Sequence, residues 1–572
     1  MKVSRYILLT GALLGGTILC VRAQDLNPTV EVTNEYQGRL QEVHKPTLEM
    51  AVPDSLLRFD LDFDYSVFER QYAGAGDFKP YLMDLKPSPS AYKGRKAYVK
   101  AGAGAALRTT TDFVISPSTG TPLQLNIFGS HNMFLGKYRD VQSETLDSYE
   151  MLRAVKGSNY SGVDMVNRLG VSGAYDWNST AMTFDAGYWG LYSRSFYINS
   201  MLNAAVVNAH VGSNKGHSNH FKHSTDIHAN LGSDSSAGVN LTYVNTSLHG
   251  TYGSVYDAYN SILVDVDAQV DYYNEYNNSL DAFAMNLSVT PKYAFQRGNF
   301  ALSAGVRLAH VFSNKATYDG FELNANGDAQ FIFPDVRVSY MAVPGALELY
   351  AKACGGSYLN SYSDIKENWH FFNLEMGRGQ NPVLSNSLCR ADISVGAEGN
   401  VASFLHFKAQ GGVAFIVNGL LDAVAPTMTP GVAYRNYSMV YGKAQLSWNA
   451  KPVLFDASLL LNRTNLYRNQ MEVFEPALAS GEIRVRYNWN DRLIAGVVAD
   501  GAVTRRGYIG TTDVRIPGFV DLGLQAEFAM TRNFALWAQA GNLLSIMGQT
   551  VQRHPLQEEP GLSILGGVVL MF

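Results

Sequence analysis

Residues 482–490 read Glu-Ile-Arg-Val-Arg-Tyr-Asn-Trp-Asn. Successive side chains of an extended strand point to opposite faces. Ile483, Val485, Tyr487 and Trp489 therefore share one face, and Glu482, Arg484, Arg486, Asn488 and Asn490 share the other. The same period recurs from about residue 97 onward. In 404–417 Leu405, Phe407, Ala409, Val413, Phe415 and Val417 alternate with His406, Lys408 and Gln410. In 262–272 Ile262, Val264, Val266, Ala268, Val270 and Tyr272 alternate with Asp265, Asp267, Gln269 and Asp271. The stretches 163–177 and 521–528 repeat the pattern. A helical period is nearly absent, so the chain is all-β.

Soluble sandwiches also alternate, and three further features point to a membrane barrel. Connections come in two sizes. Tight polar turns sit at Asn178-Ser179, Arg297-Gly298, Pro344-Gly345, Asn449-Ala450, Asn490-Asp491 and Thr531-Arg532. Longer Gly/Tyr/Asn-rich segments lie near 134–159, 195–218, 246–260, 358–387, 418–435, 463–480, 503–518 and 543–560. Short turns at one end and long loops at the other mark an outer-membrane barrel. Trp177, Trp448 and Trp489 sit beside turns, where amphipathic rings meet a membrane interface. The chain ends with Leu562, Ile564, Val568, Leu570 and Phe572 on one face, although Val569 and Met571 make the other face apolar too. The expected fold is a transmembrane antiparallel β-barrel of about 20 strands, within 18 to 22, wide enough to hold a lumen. Three strands at 262–272, 279–290 and 299–312 fit awkwardly with the even number required when both ends of the barrel lie on one side.

Composition agrees by exclusion. The 572 residues carry 45 Lys+Arg and 50 Asp+Glu, a net charge of -5, and only 17% are charged. A hydrophobic share of 46% is too high for a disordered chain, and 3 Cys are too few for a disulfide scaffold. Mean hydropathy of -0.08, with no repeated apolar run, excludes a helical membrane protein. No basic excess points to nucleic acid. Lys2, Arg5, the apolar run Ile7 to Val21 and Val21-Arg22-Ala23 read as a signal peptide, residues 1–23. A lipoprotein reading of Cys20 is opposed by Leu19, where a small residue belongs. Residues 24–96 form a Pro-punctuated periplasmic extension, with Lys86-Pro-Ser-Pro-Ser90 as an extended linker. Residues 97–572 are the barrel. Asp60, Asp62 and Asp64 alternate with large apolar residues and read as a solvated strand face rather than a calcium loop.

Several stretches resemble TonB-dependent receptors. Thr29-Val-Glu-Val-Thr33 looks like a degenerate TonB box. Asn381 to Gly399 resembles the mid-barrel stretch of that family, and Gly541-Asn-Leu-Leu544 with Pro560-Gly561 resembles its C-terminal region. The resemblance departs at the N-terminus, because a receptor's plug domain needs a longer chain ahead of the first strand than residues 24–96 supply. In this the chain is similar to plug-less TonB-dependent-receptor-like barrels of Bacteroidota, with Tyr98-Val-Lys-Ala-Gly102 as the first strand. The resemblance implies a Gram-negative outer-membrane location and solute or nutrient transport or ligand binding. The alternative is a structural or assembly subunit that docks envelope proteins through residues 24–96. Expected partners are outer-membrane lipid, the outer-membrane assembly machinery through the strand ending at Phe572, and a periplasmic or surface lipoprotein.

Candidate chemistry is sparse. His210, His217, His220, His223 and His228 crowd into 19 residues. Imidazoles suit transition metals, and a surface loop could gather His217, His220, His223 and His228; hydrated rim residues are the plain alternative. Asp265, Asp267 and Asp271 share a lumen face, and rings of acids bias a pore toward cations. A generic polar lumen balanced by Arg484, Arg486 and Lys408 gives the same pattern. Tyr252, Tyr256, Tyr259, Tyr358 and Tyr362 could stack on ligands or pack loop cores. Cys354 and Cys389 flank one long loop, as a disulfide or as two buried thiols. No nucleophile elbow, zinc-protease motif or phosphate loop is present, so no enzyme and no cofactor are expected.

Overall fold

The computed structural model describes residues 96–572, apart from 106, 118–122, 147, 178, 197, 214–220, 237–238, 258, 276–279, 315–327, 373–384, 403, 425–427, 429 and 467–472. The signal segment, the Thr29–Thr33 stretch, the Asp60–Asp64 run, His217 and His220 lie outside the described residues. The strands are β1 (Ala97–Gly104), β2 (Arg108–Ile115), β3 (Gln124–Leu146), β4 (Tyr149–Asp176), β5 (Thr180–Arg194), β6 (Asn199–Ser213), β7 (Phe221–Ser236) and β8 (Val239–Val255). They continue as β9 (Asn260–Glu275), β10 (Leu280–Arg297), β11 (Phe300–Ser313), β12 (Asp328–Val343), β13 (Leu347–Asn360), β14 (Ser385–Ala402), β15 (Leu405–Val424) and β16 (Pro430–Ala450). The last are β17 (Val453–Leu466), β18 (Ala479–Trp489), β19 (Leu493–Ala502), β20 (Arg505–Ile509), β21 (Thr512–Ile516), β22 (Phe519–Ala529), β23 (Phe534–Gly541) and β24 (Ser563–Met571).

Each barrel strand pairs antiparallel with its chain neighbours, and β19 pairs directly with β22. β20 and β21 are a hairpin outside the wall, which leaves a closed ring of 22 strands. β1 closes the ring on β24 from Tyr98↔Met571 to Gly104↔Leu565. Both ends of the barrel meet at one rim, where the Lys96 N–H donates to the Phe572 carbonyl at 2.6 Å. The short turns lie at this rim. At one of them Asn490 and Asp491 both adopt positive φ (52° and 54°), the geometry of a two-residue hairpin turn. Trp177, Trp448 and Trp489 stand exposed at the same rim, the last at 60%.

The alternation sorts as expected. Ile262, Ile483, Tyr487, Leu524 and Phe528 are exposed on the outer face, while Asp265, Asp271 and Asp521 are buried on the inner one. The strands at 262–272, 279–290 and 299–312 are three real strands, β9 to β11. Parity survives because segments read as long loops near 134–159, 195–218, 246–260 and 418–435 are largely strand. β3 and β4 run to 23 and 28 residues and pair up to Leu146↔Tyr149. Polar composition marks where an apolar surround ends, not where backbone pairing ends. The doubly apolar last strand also has a cause. Val569, Met571 and Leu565 point inward and pack with Tyr98, Ala535 and Trp537 in a buried cluster.

Candidate functional site

At the mouth opposite the short turns, two of the described connections fold inward and meet. One helix is described in the barrel connections, α1 (Tyr362–Asn368), between β13 and β14. Ser361 caps it by accepting the Asp364 N–H. That serine and the acidic residue three positions on form a start signal that could have marked a helix inside 358–387.

The loop carrying α1 folds into the lumen. Tyr362, Trp369, Phe371 and Phe372 join a buried cluster that includes Trp189 and Leu191 of β5, Tyr243 of β8, Tyr273 of β9, Leu420 of β15 and Tyr434 of β16. Strands 5 and 16 stand half a ring apart, so the loop bridges opposite walls. Polar contacts fix it. Lys366 Nζ donates to Ser200 Oγ at 2.8 Å and to the Phe372 carbonyl at 2.5 Å, and lies 3.3 Å from Asp234 Oδ2. Ser200 Oγ donates to Asp234 Oδ1 at 2.6 Å, and the Tyr362 hydroxyl donates to Asp234 Oδ2. The Lys366 and Asp234 side chains are 0% and 1% exposed, so every donor and acceptor must be met inside. Burial lowers the Lys366 pKa, and Asp234 opposes the shift. Further along, Glu367 pairs with Arg168 of β4 at 2.8 Å. His370 Nδ1 meets Asp164 Oδ1, also on β4, at 2.9 Å. Burial disfavours the His370 imidazolium, but Asp164 outweighs it and raises the pKa.

A second loop, between β23 and β24, meets the first. His554 stacks on Trp369 at 4.6 Å and 12°, and Trp369 Nε1 donates to Gln557 Oε1 at 3.1 Å. Asp500 and Asp521 face each other directly across β19 and β22, a repulsive pairing on its own. Arg553 from the loop lies 2.7 Å from Asp500 and 3.5 Å from Asp521. Nearby, Arg505 of β20 pairs with Asp422 at 2.7 Å and donates to the Arg553 carbonyl at 3.0 Å. β21 adds a short parallel pairing to the top of β4 (Val514↔Glu150, Arg515↔Met151). Burial pushes the His554 pKa down to about 4, against the pull of Asp422. Burial also pushes Glu558 up to about 7, against Arg139 at 3.5 Å.

Glu558 makes docking of this loop pH-dependent. Its docked-state pKa is raised above 4.5, so docking is stabilised while the carboxyl is protonated and loses that support as pH rises from about 4.5 through about 7. His554 acts at the other end, disfavouring docking as pH falls from 6.5 toward about 4. At pH 8 only Glu558 matters of the two. Glu558→Gln should therefore protect 549–562 from hydrogen exchange more than the parent does at pH 8. Equal exchange would refute this account.

Other candidates resolve differently. Asp265 pairs with Lys292 at 2.6 Å, and Lys292 with Asp335 at 2.9 Å. Arg307 lies 3.8 Å from Asp335 and 4.0 Å from Asp267, which hydrogen-bonds His249 and Ser288. Asp265 and Asp267 thus belong to a neutralised wall network, not a free acidic ring, whereas Asp271 is buried with its Oδ2 unmatched by any hydrogen bond among the described residues. The network's cations come from strands β10 and β11. Lys408 instead pairs with Glu398 at 3.1 Å, and Arg484 pairs with Glu482.

β6 ends and β7 begins at the short-turn rim, and His217 and His220 lie outside the described residues. His228 bonds Asn208 and His210 bonds Asp226 on the inner face. His223, of opposite parity on β7, stacks on Phe221. Of the four metal candidates only His223 and His228 are described, and they lie on opposite faces of β7; among the described residues no three metal-binding side chains group together.

Tyr252 reaches Thr225 on the neighbouring strand, and Tyr256 and Tyr259 flank a short turn. Tyr362 alone of that set is shown in the closure. Cys354 and Cys389 are free thiols on adjacent strands. Sequence reasoning missed Lys366, Asp234, Trp369, Arg553 and His554. Apart from the helix start signal nothing local distinguishes them, since each is defined by a partner far along the chain.

No protein-family model and no curated protein matches the sequence. Solved structures do share the fold. The copper transporter OprC has a TM-score of 0.58 at 14% identity, covering 84% of this chain and 80% of its own. The FrpB iron transporter from Neisseria meningitidis gives 0.60 at 9% identity, covering 84% and 81%. The siderophore receptor PiuA from Acinetobacter baumannii gives 0.55 at 9% identity, covering 84% and 82%.

Proposed function

We propose that this chain is an outer-membrane transport barrel, similar to TonB-dependent receptors, that passes a nutrient-class solute through a gated lumen. The observation that carries the reading is a 22-strand ring with an apolar outer wall, a polar ion-paired inner wall and a mouth into which its own loops fold. A ring of this size encloses more space than side chains can fill. An apolar band outside and a polar interior suit strands that separate lipid from a watery path. The inward loops then act as the gate, and they also supply the surface that a solute meets first.

The expected result in planar bilayers is low conductance for the parent protein. Replacing both 361–372 and 549–562 with flexible Gly-Ser linkers should produce large, steady openings. A folded double-replacement barrel that passes neither ions nor small sugars would defeat the transport reading and favour a sealed scaffold. The strand ending at Phe572 is the proposed handle for the outer-membrane assembly machinery. Removing Phe572, which is exposed at the rim, should lower the yield of membrane-assembled protein, and an unchanged yield would refute that role.

A further inference from the structure

Above one level, the β13–β14 hairpin parts from β12 and stays tied to the wall on its β15 side. β12 pairs with β13 from Val343↔Leu347 only as far as Asp335↔Cys354, although β12 itself continues to Asp328 beside β11. β14 keeps Cys389↔Ile416 and Leu388↔Val417 with β15, and Asn418 bonds Asn386 and Ser387. At the same level a bulge in β14 shifts both of its ladders, between Asp392 and Cys389 against β13 and between Ala391 and Cys389 against β15. Bulges bend a strand and re-aim the residues beyond them. Gly355 of β13 faces this bulge, and a Cβ there would stand 2.8 Å from the Phe333 ring and 2.9 Å from two backbone oxygens.

Beyond the bulge the chain is held by side chains of β9 and β10, four and three strands away along the wall. Asn286 Nδ2 donates to the Ser357 carbonyl at 2.8 Å, and Ser357 Oγ donates to Asn286 Oδ1 at 2.6 Å. The Leu359 N–H donates to Gln269 Oε1 at 2.9 Å, and the Tyr362 N–H to the Tyr273 hydroxyl at 2.6 Å. These contacts stand where ladder bonds to β12 would otherwise run. The segment then reaches β4, nine strands away, through Glu367–Arg168 and His370–Asp164.

Resting on the transport reading above, we propose that the top of the β13–β14 hairpin with residues 361–372 is a hinged lid, with the β14 bulge on its β15 side as its hinge and Lys366–Asp234 as its latch. In the latch the lid places a full charge with no exposed side-chain surface, so it is where closure is won or lost. Side-chain bonds to Ser357, Leu359 and Tyr362 can break singly, and each polar group can find water once the mouth opens. A cooperative sheet ladder offers no such stepwise release.

Conductance of the full-length protein tests this. In planar bilayers Lys366→Met should raise open probability at least tenfold over the parent, and Asp234→Asn should raise it in the same direction, keeping the test alive if the first variant does not assemble. In a Cys354→Ser/Cys389→Ser background, adding Arg168→Cys and Glu367→Cys to the latch variant and bridging the two thiols with a bis-methanethiosulfonate linker should close the pore, and reductant should reopen it. Latch variants as quiet as the parent, while the double-loop replacement conducts, would overturn the lid. Conductance that persists after cross-linking would overturn it too. If the double-loop replacement itself stays silent, the transport reading falls instead.

Discussion

Lys366→Met alone should cost the folded-in loop about 3–5 kcal/mol, because it strands the Asp234 carboxylate in a fully buried site. Ser200 and Tyr362 still donate to Asp234 in that variant, but two neutral donors do not replace a cation. Asp234→Leu alone should cost a similar amount for the mirror reason, leaving an ammonium with only Ser200 and the Phe372 carbonyl. The double variant Asp234→Leu/Lys366→Met should recover most of the loss, since an apolar pair of similar volume needs no solvation. The readout is hydrogen exchange through 361–372 in detergent-solubilised full-length protein. Fast exchange in both singles and near-parent protection in the double is the expected pattern. Additive losses in the double would mean that the two residues act separately and that no latch exists.

Valine at Gly104 or Gly567 should abolish barrel closure. A Cβ at Gly104 would stand 1.8 Å from the Ile564 carbonyl oxygen, and one at Gly567 2.0 Å from that of Ala101. Both obstacles are backbone of the partner strand, so neither can rotate away, and the damage should exceed the roughly 1–3 kcal/mol typical of an overpacked core. The affected seam joins β1 to β24, the first and last strands of the ring, and nothing else closes it. Gly411→Val is the control: its nearest neighbour is the Tyr441 carbonyl at 3.7 Å. On gels run without boiling, the Gly411 variant should keep the mobility of a folded barrel and the seam variants should lose it. A normally folded Gly104→Val protein would refute the argument.

Much of the barrel is legible one strand at a time. The period in 482–490 places Ile483 and Tyr487 outside and Arg484 and Arg486 inside, because a strand's two faces are set by parity alone. Turn residues such as Asn490-Asp491 are legible for the same local reason, since few residues tolerate positive φ at two successive positions. Strand length was harder to read. The upper parts of β3 and β4 mix polar with apolar residues and lose the clean alternation once they rise past the apolar band, with Val141 and Leu152 buried against loops rather than facing outward.

The closure of the mouth was hidden for a deeper reason. Lys366 and Asp234 are far apart in the chain, and Arg553 meets Asp500 and Asp521 from a different loop. The pattern around each reads as ordinary polar loop or strand. Likewise Asp265 and Asp267 look like free acids until Lys292 and Arg307 appear on the strands beside them. By itself the sequence determined an all-β chain with one apolar and one polar face per strand, ending in a strand fit to close a ring, because those properties depend on spacing along the chain. Only the tertiary structure decided that the ring has 22 strands, that Lys292 and Arg307 neutralise Asp265 and Asp267 in its lumen, and that a helical loop folds into it. Those outcomes depend on which distant charges and rings come within a few ångströms of one another, and that is set by ring closure.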